Sequence, residues 1–364
     1  MKNALKSSFT KLLSMFLVGV LAYAAIPLAA SAEGADDHPI FYPQPPNEPK
    51  LQFLKKFSSA LDITTKNKGF RDFVFGGEQN EATFIEKPYG TALYKGSLFV
   101  VDARGGGYAV FDLVNDEARF VKPSGAGALR KPINITIDKD GTRYITDTSR
   151  HQIVVYDEND RFQRAIGASD QFGPADVAIA GDKLFVTDVE NHQVHVLDKM
   201  SGEVLLTFGD KGNKPGYFLH PSNLAIGPDG SLYVADTSNF RIQQFTPEGE
   251  FLRETGGIGN RPGKFSRPKG VAVDNDGNLY VVDAAFQNIQ ILAAEDLGAL
   301  MAFGRAGDEP DNINLPTVVK IDYDNVEYFQ RYAAPNWEIE YLVIVASQYG
   351  LNKVVVFGFG KFRE

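Results

Sequence analysis

Aspartate closes a short apolar run five times in this chain: FVVD at Asp102, YITD at Asp147, FVTD at Asp188, YVAD at Asp236 and YVVD at Asp283. Five carboxylates in one phrase suggest a ring of acids or ligands, but their position argues for a structural role. An Asp between a strand and a tight turn accepts hydrogen bonds from amides two or three residues on. A second oxygen set, Asn134, Asp176 and Asn223, stands two residues after Pro132, Pro174 and Pro221. Oxygens from three neighbouring units are what a hard cation such as calcium takes, so this trio is the candidate metal set, with strand-entry capping as its alternative. One residue after Pro88 and Pro268 stand Tyr89 and Lys269, the latter suited to an anionic group, and just before Pro221 stands His220. These three are candidate binding residues. His192 and His195 form an HxxH pair, but on a strand residues three apart point to opposite faces and share a metal poorly. No GxxxxGK[ST], GxSxG or HExxH occurs, and without cysteine neither thiol catalysis nor haem attachment is available.

The elements that position these residues repeat. A proline opens each unit at Pro88, Pro132, Pro174, Pro221, Pro268 and Pro316, spaced by 44, 42, 47, 47 and 48 residues. A worn sixth phrase, VIVASQYGLNKVVVF, carries Ser347 where the Asp belongs. Such a period means stacked supersecondary units. In the fourth unit, strands expected at 223–226, 231–235, 241–246 and 250–254 alternate with turns at ProAspGly, AspThrSerAsn and ProGluGly. Four antiparallel strands repeated radially predict an all-β, six-bladed β-propeller. The last unit has three strands, near 317–323, 339–346 and 353–359, and lacks a fourth. Residues 51–58 (LQFLKKFS) match the fourth strands of other units, so this N-terminal strand is expected to complete blade 6 and leave no open edge.

The phrase of Asp, a turn with AsnHis or AsnPhe, then Arg, Gln or Asn before Ile or Val resembles the NHL repeat. The resemblance runs from about Leu51 to the C-terminus, is strongest in units two to five, and implies a six-bladed propeller like those of secreted bacterial members. In the amidating lyases that share this fold, zinc histidines sit at inner-strand ends. Here Tyr89, Ile133, Ala175, Ser222, Lys269 and Thr317 follow the marker prolines, with no His among them. Six-bladed lactonases hold a metal in the channel with Asn, Asp and Glu, a likeness of position only.

The ends set the compartment. Residues 1–32 resemble a signal peptide, with Lys2, Lys6 and Lys11, an apolar stretch and a small-residue site at Ala30, Ser31 and Ala32; a retained anchor is the alternative. Residues 33–49 are a Pro-rich strap or linker, and 50–364 the propeller. Loss of three lysines with the signal takes the formal charge from −9 to −12, which argues against nucleic acid or anionic lipid. Membrane contact is expected only through the signal.

Two departures from the repeat point to partners. The connection 59–87 places Phe70, Phe73 and Val74 at helical spacing, a lid or plug for the channel. In blade 6, the loop 324–340 gathers Tyr328, Phe329, Tyr332 and Trp337, either an interface anchor or local core. The expectation is an exported, periplasmic or secreted, non-enzymatic scaffold for a protein partner in the envelope or outside the cell, without cofactor. The alternative is a calcium-assisted hydrolase or lactonase using the channel oxygens.

Overall fold

The computed structural model describes residues 39–63, 85–168 and 171–363, which fall in one compact unit, Pro39–Glu364. The signal segment, His38, and Phe70, Phe73 and Val74 of the expected helix lie outside the described residues. Six antiparallel sheets stand in a ring, as the repeat predicts. Blade 1 runs Pro88–Tyr94, Ser97–Asp102, Gly107–Asp112 and Glu117–Val121 from the axis outwards, and blades 2 to 5 repeat that order. In blades 1 to 5 the marker proline heads the innermost strand and faces its unit's Asp across the first hairpin, as Pro88 faces Asp102 and Pro221 faces Asp236, while in blade 6 Pro316 lies within Asn314–Asp322 and faces Ser347. A residue without an N–H fits there because the first ladder position makes no demand on a donor. In blade 4 the strands are Pro221–Ile226, Leu232–Asp236, Arg241–Phe245 and Phe251–Gly256, within two residues of expectation.

Inner and middle strands are apolar on both faces because each blade is sandwiched between two others. Leu98, Val100, Ala109 and Phe111 of blade 1 pack on Ile344, Ala346, Val354 and Val356 of blade 6. Inner strands touch their neighbours all round the ring, the last against the first. The closing strand Leu51–Phe57 pairs antiparallel with Val354–Phe362, and Leu51, Leu54 and Phe57 are buried in two interblade cores. The strap adds a fifth strand: Phe41–Tyr42 pairs with Leu51 and Gln52, and Phe41 packs edge-on against Trp337. The strap over Leu51 and Gln52, with Phe329 and Phe111 against Phe57, leaves the closing strand largely buried while the outer strands Val204–Phe208 and Phe251–Gly256 are exposed.

The aromatic loop of blade 6 corrects part of the interface expectation. Phe329 and Trp337 are buried in the core between blades 6 and 1, with Tyr328 and Tyr332 half-buried against it. Gln330 Nε2 donates to Trp337 O at 2.7 Å, and Arg331 Nη2 reaches blade 1 at Leu113 O, 2.8 Å. The loop folds back because a worn blade leaves apolar surface that four aromatic rings cover. Phe329 and Trp337 are therefore packing residues, not partner contacts.

Candidate functional site

The face where the inner strands begin carries the turns after each repeat Asp and the loops that enter the next blade. Every repeat Asp is fully buried. Asp102 accepts from the amides of Arg104 and Gly105, each at 2.9 Å, and from Glu86 and Lys87 at 2.7 and 3.1 Å. Asp147 accepts from Ser149 and Arg150 and from Arg130 and Lys131. Asp283 accepts from Ala285 and Phe286 and from Ser266 and Arg267. One carboxylate thus ties its own turn to the chain entering the blade, the second half of which the sequence did not suggest.

Asp188 and Asp236 add side-chain donors. Burial pushes Asp188 up, but His195 at 3.0 Å, Asn191 and Gly173 outweigh it and hold the carboxyl down at about 2. Asp236 accepts from Leu219 N, Asn239, Gln243 and the Arg241 guanidinium at 2.9 Å, yet burial leaves its pKa raised. Arg241 was missed from sequence. Its guanidinium binds Asp236 and Glu254 and donates to the carbonyls of Asn213, Lys214 and Tyr217, which fixes the loop entering blade 4.

The channel trio does come together. Asn134 Nδ2 donates to Asp176 Oδ1 at 2.6 Å and Asn223 Nδ2 to Asp176 Oδ2 at 3.2 Å. The amides of Val177 and Leu224 complete four donors on one carboxylate. Burial raises the Asp176 pKa, and Lys320, on the inner strand of the opposite blade, works against that rise. The trio lies between neighbouring blades, in the wall of the channel. Gly90 and Gly270 of the same series show why: a Cβ on Gly90 would sit 2.6 Å from Asn134 Cα, and one on Gly270 2.6 Å from Val318 Cα. The trio presents N–H groups to Asp176, so as arranged it does not fit calcium, which needs oxygens there.

At the mouth, Lys269 Nζ donates to Tyr89 Oη at 2.7 Å, and Thr317 Oγ1 donates to Tyr89 O at 2.8 Å. The two candidate binding residues latch to each other from blades 5 and 1. His220 is exposed, its ring 4.8 Å from that of His192 and its Nδ1 3.0 Å from Ser238 Oγ. His192 takes the His220 amide on Nδ1, and burial followed by His220 lowers its pKa. His195 lies beneath, between Asp188 and Thr207. Among the described residues no group of three or more His, Asp or Glu is placed to hold a metal.

The NHL repeat family model matches residues 173–197, 218–245 and 265–292, the Pro-to-third-strand segments of blades 3, 4 and 5. This chain is an NHL-repeat β-propeller. Curated relatives of the NHL propeller include mouse peptidyl-glycine alpha-amidating monooxygenase, 31% identical over 192 residues, 48% of this chain and 18% of that one. Another is a probable peptidyl-alpha-hydroxyglycine alpha-amidating lyase of Caenorhabditis elegans, 35% identical over 69 residues, 18% of this chain and 20% of that one. The chain spans about a fifth of the length of these relatives. Similar solved structures include a gluconolactonase from Xanthomonas campestris, TM-score 0.57 at 14% identity, covering 85% of this chain and 89% of that one. Virginiamycin B lyase from Staphylococcus aureus matches at TM-score 0.51 and 14% identity, over 75% of this chain and 95% of that one. At such identities these structures speak for the fold alone.

Proposed function

We propose that this NHL propeller is an exported binding scaffold that presents the strand-entry face of blades 4 and 5 to a protein partner. One contrast supports the reading. The carboxylates on that face are occupied in holding the ring, as Asp176 with its four donors shows. The loops above them carry Lys211, Lys214, Arg261 and Arg267, which form no ion pair with the described residues. Fixed loops with unpaired charge on a rigid ring are suited to recognition. Cross-linking in an extract of the native cell envelope, read by mass spectrometry, tests this. Partner cross-links are expected at Lys211, Lys214 and Lys264; cross-links confined to Lys95, Lys139 and Lys183 on the opposite face would overturn it.

A second reading, a hydrolase or lyase working in the channel, draws on the amidating relatives and on the buried, raised carboxyl of Asp176. It requires the amides of Asn134 and Asn223 to turn so that oxygens replace their N–H groups. Elemental analysis with and without chelator decides it: metal needed for turnover of a lactone or hydroxyglycine-extended peptide, but not for folding, favours the enzyme.

A further inference from the structure

The loops entering blades 4 and 5 are copies 47 residues apart: GDKGNKPGYF at 209–218 and GGIGNRPGKF at 256–265. Both fold back through the same parallel bridge, Lys211 with Phe218 and Ile258 with Phe265. Both are pinned by a glutamine of the third strand. Gly216 N donates to Gln243 Oε1 and Gly263 N to Gln290 Oε1, each at 2.8 Å.

Beside that pin the two blades differ. In blade 4 a cleft of about 560 Å³ beside the loop carries the Arg241–Glu254 ion pair in its wall, with Asn239 and Lys264. Strand register places Asn288 at the position of Arg241, since they face Asp283 and Asp236 respectively. It places Ala302 at that of Glu254, since they face Gln290 and Gln243. Both halves of the ion pair are gone from the corresponding cleft of blade 5, about 500 Å³, which is lined instead by Arg261, Lys264, Phe286, Asn288, Leu300 and Met301 among others. Asn288 Oδ1 is buried without a hydrogen-bond partner, so the amide can turn over without losing a bond at that oxygen and present its N–H group there instead. Phe286 and Leu300 are 40% and 59% exposed, an apolar floor open to a ligand. The ionisable residues of the lining are Arg261 and Lys264, and no acid joins them. Segment 256–269 carries Arg261, Lys264, Arg267 and Lys269 and no Asp or Glu, in a chain of net charge −9.

We propose that this cleft binds an amphiphilic organic carboxylate. The carboxylate pairs with Arg261 and takes an N–H from the turned amide of Asn288, and the apolar body lies on Phe286, Leu300 and Met301. Lys264 Nζ, engaged with Gly256 O at 2.5 Å, adds charge from one side. A guanidinium suits the role because it binds a carboxylate through two parallel N–H groups. The inference deepens the binding reading by naming the chemistry one blade recognises.

The test is calorimetric titration at low salt with octanoate, N-acetyl-Leu-Phe and N-acetyl-Leu-Phe amide. Saturable binding is expected for an acid and not for the amide; octanoate alone points to a fatty-acid-like ligand, and the free dipeptide to a peptide C-terminus. Arg261→Gln, on an exposed side chain, should weaken binding about tenfold. Asn288→Arg with Ala302→Glu restores the blade 4 pair and should abolish binding with a native circular dichroism spectrum. If that double variant does not fold, Arg261→Gln carries the test. No saturable binding of either acid below about 10 mM, equal binding of acid and amide, or unchanged affinity in Arg261→Gln overturns the proposal. Capture of a partner that Arg261→Gln leaves unaffected would remove the cleft and keep the scaffold; carboxylate binding without any partner would do the reverse.

Discussion

If the repeat aspartates are clamps, their costs should differ according to what each clamp holds. Asp283 accepts four backbone amides and no charged side chain. Its neighbours Ala285 and Phe286 are exposed, so their amides can turn to water, and Asp283→Ala should cost about 2 to 3 kcal/mol. Asp236 instead faces a buried guanidinium. Arg241 is 7% exposed, and its remaining acid, Glu254, has a side chain 39% exposed and so screened. Removing Asp236 strands that charge, a loss of about 3 to 5 kcal/mol for breaking one side of a buried pair. Asp236→Ala should therefore be the more damaging by about 1 to 2 kcal/mol. Adding Arg241→Met removes the stranded charge but also the bonds to the carbonyls of Asn213, Lys214 and Tyr217, so the two effects offset and the double variant should stay close to Asp236→Ala. Urea unfolding followed by circular dichroism measures all three variants on one scale. Asp236→Ala within about 0.5 kcal/mol of wild type, or less harmful than Asp283→Ala, would refute the clamp reasoning.

Other outcomes follow from the same structure. Gly90→Ala and Gly270→Ala press a methyl into the backbone of the next blade and should cost about 3 kcal/mol or more in thermal unfolding, whereas Gly212→Ala, which meets only the Tyr217 ring at 3.0 Å, should be mild. Deleting residues 50–58 removes Leu51, Leu54 and Phe57 from two cores and bares the edge of blade 6; the protein should aggregate, and a soluble, cooperatively unfolding deletion would contradict closure. Phe57→Ala alone should cost about 3 to 5 kcal/mol. For Asp188, folded pKa about 2 lies below the unfolded value, so its stabilisation is present above about pH 4 and lost as pH falls towards 2. Asp188→Asn should flatten that part of the stability profile. Asp176 has the opposite sign: its raised pKa gives stability that is full below about pH 4 and lost as pH rises through the folded value, so Asp176→Asn should remove that fall.

The ring was legible because its markers are side chains of distinctive type. In five blades proline fixes the strand entry and Asp the turn, and the unmatched LQFLKKF strand supplied the closure. The strap strand was not legible, since Phe41–Tyr42 carries too little pattern to name its partner. Half of each Asp clamp was hidden for another reason: Glu86, Lys87, Ser266 and Arg267 contribute amides, which any residue offers. Asn134, Asp176 and Asn223 do meet, but their aim into the blade interface follows from the tight ring that Gly90 and Gly270 mark. The acid-free lining of the blade 5 cleft was the hardest to see, because it depends on what Asn288 and Ala302 lack relative to Arg241 and Glu254, a comparison that needs the strand register.

If the protein works through the strand-entry face of blades 4 and 5, charge reversal on that face should cost it its partner. The direct measurement is affinity capture of tagged protein from native envelope extract with three forms: wild type, Lys214→Glu with Arg261→Glu and Arg267→Glu, and Lys95→Glu with Lys139→Glu on the opposite face. One partner should be held by wild type and by the opposite-face variant and lost from the folded triple variant. Equal capture by all three forms, or loss only from the opposite-face variant, would contradict it.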